Sequence, residues 1–178
     1  SLSERSINSV EYIFPKFCPD CGNEVKKEKN ESSIRCHAGL LCKSQVIERL
    51  KHFVSKQAFS IEGFAEKQIL QLYDLDWIKS PTDIFYLETK HGHNSKMPLK
   101  NLDNWGEKSA DNLFKAIEKS KKIPLNKFIF SLGIRYVGEV VASMLAKYYV
   151  EWDFFYYKMK NLSQKNNSAL DELVNIDG

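Results

Sequence analysis

The four cysteines constrain this 178-residue chain most strongly, because all of them lie within residues 18–42. Their spacing is C-x2-C-x14-C-x5-C, and the first pair stands in the run Cys18-Pro19-Asp20-Cys21-Gly22. Two thiolates separated by two residues can reach one ion from a single turn, and a second pair completes a tetrahedron with Zn–S bonds of about 2.3 Å. The surrounding segment is polar and loop-rich, with little material for a hydrophobic core, so a bound metal is expected to stabilise it. We predict a structural Zn²⁺ site formed by Cys18, Cys21, Cys36 and Cys42.

Other roles for these cysteines fit the sequence less well. Thiols stay reduced in the cytosol, which argues against disulfides, and four thiolates leave a catalytic zinc no open position for water. His37 is an alternative ligand in place of Cys36, although a surface histidine is the more ordinary interpretation.

The composition excludes a membrane-spanning protein. The longest aromatic-rich run, Tyr148 to Tyr157, contains Glu151 and Asp153 and is far shorter than the roughly 20 apolar residues that a span needs. The first ten residues lack the apolar core of a signal peptide. A formal net charge of +3 is too small to indicate nucleic-acid binding by itself. We expect a cytoplasmic monomer without membrane attachment.

Beyond residue 44 the apolar residues follow helical spacing, beginning with Val46, Ile47 and Leu50. Gly, Asn and Pro divide this part into short segments. We predict helices there and around Ile69 to Tyr73, and at Thr82–Leu87, Lys108–Lys119, Leu125–Leu132, Glu139–Tyr149 and Ala169–Val174. The predicted fold class is mainly α, with a small four-cysteine zinc finger followed by a helical domain of tandem repeated motifs. The expected boundaries are 1–17 for a linker, 18–44 for the zinc finger and 45–178 for the helical domain.

Three segments of the helical part resemble one another. They are Ile61-Glu62-Gly63-Phe64-Ala65, Leu102-Asp103-Asn104-Trp105-Gly106 and Ile134-Arg135-Tyr136-Val137-Gly138. A fourth begins at Ile176-Asp177-Gly178 and is cut off by the end of the sequence. The first and third start 73 residues apart and the second and fourth 74, which is the phasing of a duplicated pair of units.

The shared form, apolar-x-Gly-apolar-Gly before a helix, is the helix-hairpin-helix signature. Its first glycine position tolerates positive φ, and its second lets the backbone approach a phosphate at the N-terminus of the next helix. Such hairpins hold DNA by its backbone across the minor groove and do not read its sequence. The candidate DNA-binding residues are Gly63, Lys67, Gly106, Lys108, Arg135 and Gly138.

Each complete copy departs from the signature at one position. Ala65 replaces the second glycine of the first copy, and its methyl group would keep a phosphate further away. Asn104 replaces the first glycine of the second copy, a mild change because asparagine adopts left-handed conformations readily. Tyr136 in the third copy implies either a strained backbone or a differently built turn.

The second copy lies inside a basic region. Lys90 to Lys127 contains nine lysines against four acidic residues. A lysine run alone is usually a solvated surface. Its coincidence with a phosphate-binding signature makes several lysines candidates for further contacts, although helical spacing keeps them from all facing one way. These are Lys108, Lys115, Lys119, Lys121 and Lys122.

The zinc module, the helix with His52 to Ala58, the segment Ile61 to Gly63, and the runs Gly106 to Leu113 and Leu132 to Glu139 occur in a characteristic order. From about Pro15 to Gly178 this combination resembles the zinc-finger and helix-hairpin-helix region of bacterial NAD-dependent DNA ligase. The resemblance implies a parent enzyme of the cytoplasm and nucleoid that seals single-strand nicks in duplex DNA during replication and repair. It also implies a lysine adenylated from NAD, and a divalent metal.

The same resemblance places the ligase chemistry outside this chain. The family's reactive lysine lies in a K-x-D-G motif, whereas the D-G of this sequence stands in Asn175-Ile176-Asp177-Gly178, with asparagine in place of lysine. We therefore expect no catalytic residue in this fragment. NAD and the divalent metal are expected to bind outside this fragment. The resemblance places the NAD-binding, adenylation and OB domains upstream of residue 1 and a BRCT domain after residue 178.

Two alternative functions remain. One is a non-enzymatic helix-hairpin-helix DNA-binding module of another repair or recombination protein, although such modules generally lack a zinc module immediately upstream. The other is a protein-interaction adaptor that docks through the aromatic residues between Tyr148 and Tyr157. Such a run more often closes a small helical core.

Overall fold

The computed structural model describes residues 10, 12–28, 32–164 and 173–176 and confirms the mainly α fold class. Within these residues it contains eight α-helices and one two-stranded sheet. The chain divides into two compact units, Ser1–Val46 and Ile47–Gly178. In the described ranges, no helix combines the length and the apolar character that crossing a bilayer requires.

The first unit is built around a short antiparallel hairpin. Its elements are β1 (Val25–Lys27), β2 (Ile34–Cys36), a 3-10 helix (Gly39–Leu41) and the first residues of α1 (Lys43–Val54). The strands pair so that Val25 lies opposite Cys36. The sequence predicts only a loop-rich segment here, because strands of three residues are too short to produce a recognisable alternation.

The second unit consists of helices joined by short turns. After α1 they are α2 (Glu66–Asp74), α3 (Pro81–Ile84), α4 (Leu87–His91), α5 (Glu107–Ser120), α6 (Leu125–Ser131), α7 (Glu139–Tyr149) and α8 (Trp152–Ser163), with a 3-10 helix at Leu99–Asn101 before α5. The predicted helix Glu139–Tyr149 is confirmed at both ends. The predicted helices that correspond to α5 and α6 are confirmed to within one residue.

One helix prediction is corrected by the structure, and one helix was not predicted. The single helix predicted at Thr82–Leu87 is divided between α3, which ends at Ile84, and α4, which begins at Leu87. α8 is not predicted, because its aromatic residues hide the helical period. The helix predicted at Ala169–Val174 lies mostly outside the described residues, as do Asp177 and Gly178 of the fourth repeated segment.

Apolar burial holds the second unit together. α5 buries one face, formed by Ala110, Leu113, Phe114 and Ile117 at helical spacing. A further buried cluster joins α6, α7 and α8 through Ile129, Ala142, Tyr149 and Phe155. Leu173 and Ile176 pack against this cluster, so residues 173–176 return to the helices.

Candidate metal centre and hairpin turns

The four cysteines meet at one point in the first unit. Their Sγ atoms all lie within 4.8 Å of one another. Cys18 Sγ is 4.0 Å from Cys42 Sγ, and Cys21 Sγ is 3.5 Å from Cys36 Sγ. Four sulfurs at about 2.3 Å from a tetrahedral ion would stand about 3.8 Å apart, so these distances fit Zn²⁺. The predicted ligands therefore form a group that could hold a metal ion.

Local turns place the sulfurs. Gly22 has a positive φ of 69°, and its N–H donates to the Cys18 carbonyl (N···O 2.9 Å), which closes the loop of the first pair. Cys36 ends β2. The Cys42 carbonyl accepts from the Val46 N–H at 3.1 Å, so Cys42 stands at the N-terminus of α1. The positive end of a helix favours a thiolate at that position.

Hydrogen bonds and burial act in opposite directions on these thiols. Asn23 Nδ2 donates to Cys21 Sγ at 3.3 Å. This bond, together with a backbone bond from Asn23, lowers the pKa of Cys21 to about 6. At Cys36 the Ala38 N–H donates to Sγ and favours ionisation, but burial and the neighbouring thiols outweigh it and raise the pKa to about 11. The Cys36 thiol therefore needs a nearby cation to ionise at neutral pH.

Polar contacts around the cysteines join the ligand-bearing segments. Gln45 Nε2 donates to the Cys36 carbonyl at 2.6 Å, and Ser44 Oγ donates to a carboxylate oxygen of Asp20. His37, considered above as an alternative ligand, directs Nε2 to within 3.6 Å of Glu28 Oε1. Among the described residues, the four-cysteine group does not include His37.

The three complete repeated segments adopt the same turn, named here turn 1 (61–65), turn 2 (102–106) and turn 3 (134–138). The central residue of each has a positive φ, which is 92° at Gly63, 67° at Asn104 and 66° at Tyr136. Asn104 thus adopts the left-handed conformation that makes it a mild replacement for glycine. The sequence allowed either a strained backbone or a differently built turn at Tyr136. The structure shows the common turn with a strained backbone at this residue.

Turns 1 and 3 match over a longer stretch. Ser60 (φ 51°) and Gly133 (φ 63°) precede the first residue of their turns and are also left-handed. Both left-handed positions therefore recur at the 73-residue offset that the sequence indicates for a duplicated pair of units.

Each turn leads directly into a helix. The last residue of the turn is extended, and its carbonyl accepts the first helical hydrogen bond, at 3.1 Å for Ala65, 3.0 Å for Gly106 and 2.9 Å for Gly138. A Cβ added to Gly106 or Gly138 would meet no atom within 4 Å. The packing of the chain itself therefore does not require glycine at either position.

Turns 1 and 2 contact each other's helices. A Cβ added to Gly63 of turn 1 would lie 3.6 Å from Leu113 Cδ1 of α5. In turn 2, Trp105 Nε1 donates to Gln71 Oε1 of α2 at 2.9 Å, and Gln71 Nε2 donates to the Asp103 carbonyl at 2.9 Å. This reciprocal packing fixes the two turns as a pair.

A groove of about 870 Å³ lies between turns 1 and 2. Its lining includes Gly63 and Asn104 of the turns and four lysines, Lys115, Lys119, Lys122 and Lys127. Three of the five lysines singled out from the sequence thus border the groove. Lys108 is the second residue of α5 and is exposed on the same helix face as Lys115 and Lys119. Lys121 forms an ion pair with Glu118. Lys67 and Arg135 are also exposed.

Turn 3 presents a different surface. Tyr136 is 78% exposed, and Arg135 Cζ lies 5.0 Å from its ring centroid. Sequence reasoning treated Tyr136 only as a departure from the motif and missed it as a candidate functional residue. An aromatic residue at a glycine position was the signal that could have identified it.

The aromatic run before and within α8 is divided between core and surface. Tyr149 and Phe155 are buried, whereas Trp152, Phe154, Tyr156 and Tyr157 are exposed. The run therefore closes a small helical core with two of its residues.

No protein-family model matches the chain. Proteins named DNA ligase are similar to it over nearly its whole length. That of Roseobacter denitrificans is 45% identical over 177 residues, which are 99% of this chain and 25% of the ligase. That of Wolbachia pipientis wMel is 46% identical over 178 residues, which are 100% of this chain and 26% of the ligase. That of Ehrlichia canis is 46% identical over 167 residues, or 94% of this chain and 24% of the ligase.

The chain thus spans about a quarter of the length of these relatives. The matched stretch includes both the cysteine segment and the repeated turns. The resemblance indicated by the motifs is confirmed: over nearly its whole length, the chain matches a segment of bacterial proteins named DNA ligase.

Proposed function

We propose that this chain is the DNA-holding segment of an NAD-dependent DNA ligase that seals single-strand nicks in duplex DNA. The observation that carries the proposal is the common backbone of turns 1, 2 and 3, each of which ends at the start of a helix. The similarity to DNA ligases over nearly the whole chain supports DNA as the partner.

The chemistry of the turns suits phosphate oxygens. The first N–H groups of a helix lack partners within the helix, and the helix dipole adds partial positive charge there. Gly106 and Gly138 leave open the space that a side chain would occupy. These groups recognise the DNA backbone, so we propose binding across the minor groove that is independent of sequence. The proposed contacts are Gly63, Lys67, Gly106, Lys108, Arg135 and Gly138, with Lys115, Lys119 and Lys122 beside the groove.

We place the covalent chemistry outside these residues. Four thiolates leave Zn²⁺ no open position for water, so its proposed role is structural. NAD and the divalent metal are proposed to bind other domains of the parent protein. The fragment alone should then form no adenylate with NAD and seal no nick. Detection of AMP on any of its lysines by mass spectrometry would overturn this assignment.

We also propose the segment boundaries 1–17, 18–44 and 45–178, a monomeric state and a location in the cytoplasm and nucleoid. The division into compact units at Val46 supports a boundary near that residue.

The test is a titration of labelled nicked duplexes with the zinc-loaded chain at several salt concentrations. Phosphate contacts release counterions, so the affinity should fall steeply as salt increases. Lys119→Gln, which alters the groove, should reduce the slope of log affinity against log salt by about 1. Lys121→Gln is the matched control, because it changes the net charge equally but removes a lysine that pairs with Glu118 outside the groove.

Gly106→Val tests the turn itself. Gly106 has an extended backbone (φ −148°) and open space around it, so a β-branched residue fits there and the fold should persist. The new side chain should keep a phosphate from the N–H groups of α5 and weaken binding about tenfold for unrelated sequences alike. Ala65→Val should matter less, because turn 1 already carries a methyl group there. Equal affinities for the wild type, Gly106→Val and Lys119→Gln would contradict the proposal and favour the adaptor function.

A further inference from the structure

Turn 3 differs from turns 1 and 2 in the side chain at its central position. Glycine and asparagine, which occupy it in turns 1 and 2, are ordinary residues at positive φ. Turn 3 holds Tyr136 there, at φ 66°. The other bulky non-glycine residue with positive φ in the described ranges is Val150, which directly follows α7 with φ 60° and ψ −50°. Tyr136 instead stands inside a turn, where its conformation is costly.

Burial does not account for this tyrosine. Its ring is 78% exposed, and Asn104 produces the same backbone in turn 2 with a smaller side chain. The chain therefore keeps backbone strain in order to present an aromatic ring to solvent. Strain kept at an exposed position indicates contact with an external partner.

The neighbours of Tyr136 suit a nucleotide backbone. Arg135 Cζ lies 5.0 Å from the ring centroid, and Ile134 and Val140 are 45% and 74% exposed. An apolar surface bordered by a guanidinium complements deoxyribose, which has an apolar face and an anionic phosphate on either side. Turn 3 also has the backbone of turns 1 and 2, which border a groove containing four lysines.

We propose that Tyr136 packs its ring against the sugars and base edges of the DNA minor groove, with Arg135 beside a flanking phosphate. This inference rests on the proposed function and adds an apolar contact to the charged contacts of turns 1 and 2. An apolar contact releases no counterions when it forms. Losing this contact should therefore leave the salt dependence of binding unchanged. Every nucleotide carries a sugar, so the contact is independent of sequence.

Tyr136→Asn removes the ring and should keep the turn, because Asn104 already supports the same backbone in turn 2. In the titration of nicked duplex with the full chain, this variant should bind about tenfold more weakly, with an unchanged slope of log affinity against log salt. Tyr136→Phe should bind within about twofold of the wild type, since it keeps the ring. Tyr157→Gln is the control, because Tyr157 is a 60% exposed tyrosine on α8. Circular dichroism and zinc content should match the wild type in every variant.

Wild-type affinity of Tyr136→Asn would overturn the inference, because the ring would then make no contact. A slope reduced by about 1 would also overturn it, since the residue would then act through a phosphate contact. An equal loss of affinity in Tyr157→Gln would show that the position of the ring does not matter, with the same consequence. Failure of the proposed function looks different: the wild-type chain would show no salt-dependent DNA binding, and both proposals would fall together.

Discussion

The two units of the chain are stabilised by different means. In the first unit the buried residues among those described are Cys18, Cys42 and Val46, whereas Ile13, Phe14, Phe17 and Leu41 are each at least 60% exposed. In the second unit Leu50, Leu72, Leu113 and Ile129 are fully buried. We therefore expect the first unit to depend on a metal ion held by its four cysteines and the second on apolar packing. The three turns belong to the second unit, so their backbone should not require the metal.

The largest effect is expected from removing Zn²⁺. Metal binding contributes about 10–16 kcal/mol in zinc-finger peptides, so chelation should unfold residues 18–44 while α5 stays folded. Hydrogen exchange should show lost protection in β1 and β2 and unchanged protection in α5. All three tryptophans lie in the second unit, so their fluorescence should change little on chelation.

Cys42→Ser should reproduce this result without a chelator, because it removes one of the four sulfurs. Elemental analysis of the wild type should find one zinc per chain. Protein that contains no metal when purified without chelators would contradict the metal dependence of the first unit. Loss of protection in α5 as large as that in β1 would show that the second unit also requires the metal.

The next effect is expected in the apolar core of the second unit. Leu113 is fully buried and lies against turn 1 through Gly63. Leu113→Ala should lower the free energy of unfolding by about 2–5 kcal/mol, because it leaves a cavity. Urea denaturation followed by tryptophan fluorescence measures this change. The affinity for zinc should be unaffected.

Leu41→Ala is the matched control, since Leu41 is 82% exposed in the first unit. It should change the stability by less than about 0.5 kcal/mol. A Leu113→Ala protein that loses zinc as readily as it loses its helices would show that the units do not fold independently.

The features that the sequence predicts best are set by residues close together in the chain. The C-x2-C turn and the paired spacing determine which sulfurs can meet, and the structure brings all four cysteines together. The left-handed positions at Gly63 and Asn104 follow from the conformational range of these residue types. Gly106, Pro124 and Gly138 likewise directly precede α5, α6 and α7.

Features that depend on tertiary packing could not be predicted in this way. α8 carries aromatic residues on several sides, and only packing decides that Phe155 is buried while Tyr157 is exposed. A local cap at Ser80 begins α3, and the helix ends where the N–H groups of Phe85 and Tyr86 donate to the carbonyls three residues back. Which lysines share a groove depends on the contact between turn 2 and α2, made by Trp105 and Gln71.

The smallest effect is expected at that local cap, which stabilises the second unit by hydrogen bonds to a single carboxylate. Asp83 Oδ2 accepts from the Ser80 N–H at 2.8 Å, the Ser80 hydroxyl at 2.8 Å and the Lys79 N–H at 3.0 Å. Partial burial alone would raise the pKa of Asp83, but these bonds outweigh it and hold the pKa below its usual value. The ionised form is therefore the one that stabilises the fold.

Asp83→Ala should lower the free energy of unfolding at pH 7 by about 1 kcal/mol, the usual cost of a lost helix cap. Because the folded-state pKa is depressed, the stabilisation is present above the unfolded pKa of about 3.9 and is lost as the pH falls through the folded value. The wild type and the variant should therefore converge in stability below about pH 4. Asp153→Ala, at an exposed aspartate in the first turn of α8, is the control and should show a smaller difference at pH 7. Urea denaturation curves across this pH range measure both differences. A difference in stability between Asp83→Ala and the wild type that stays constant from pH 7 to pH 3 would mean that the ionised carboxylate is not the source of the stabilisation.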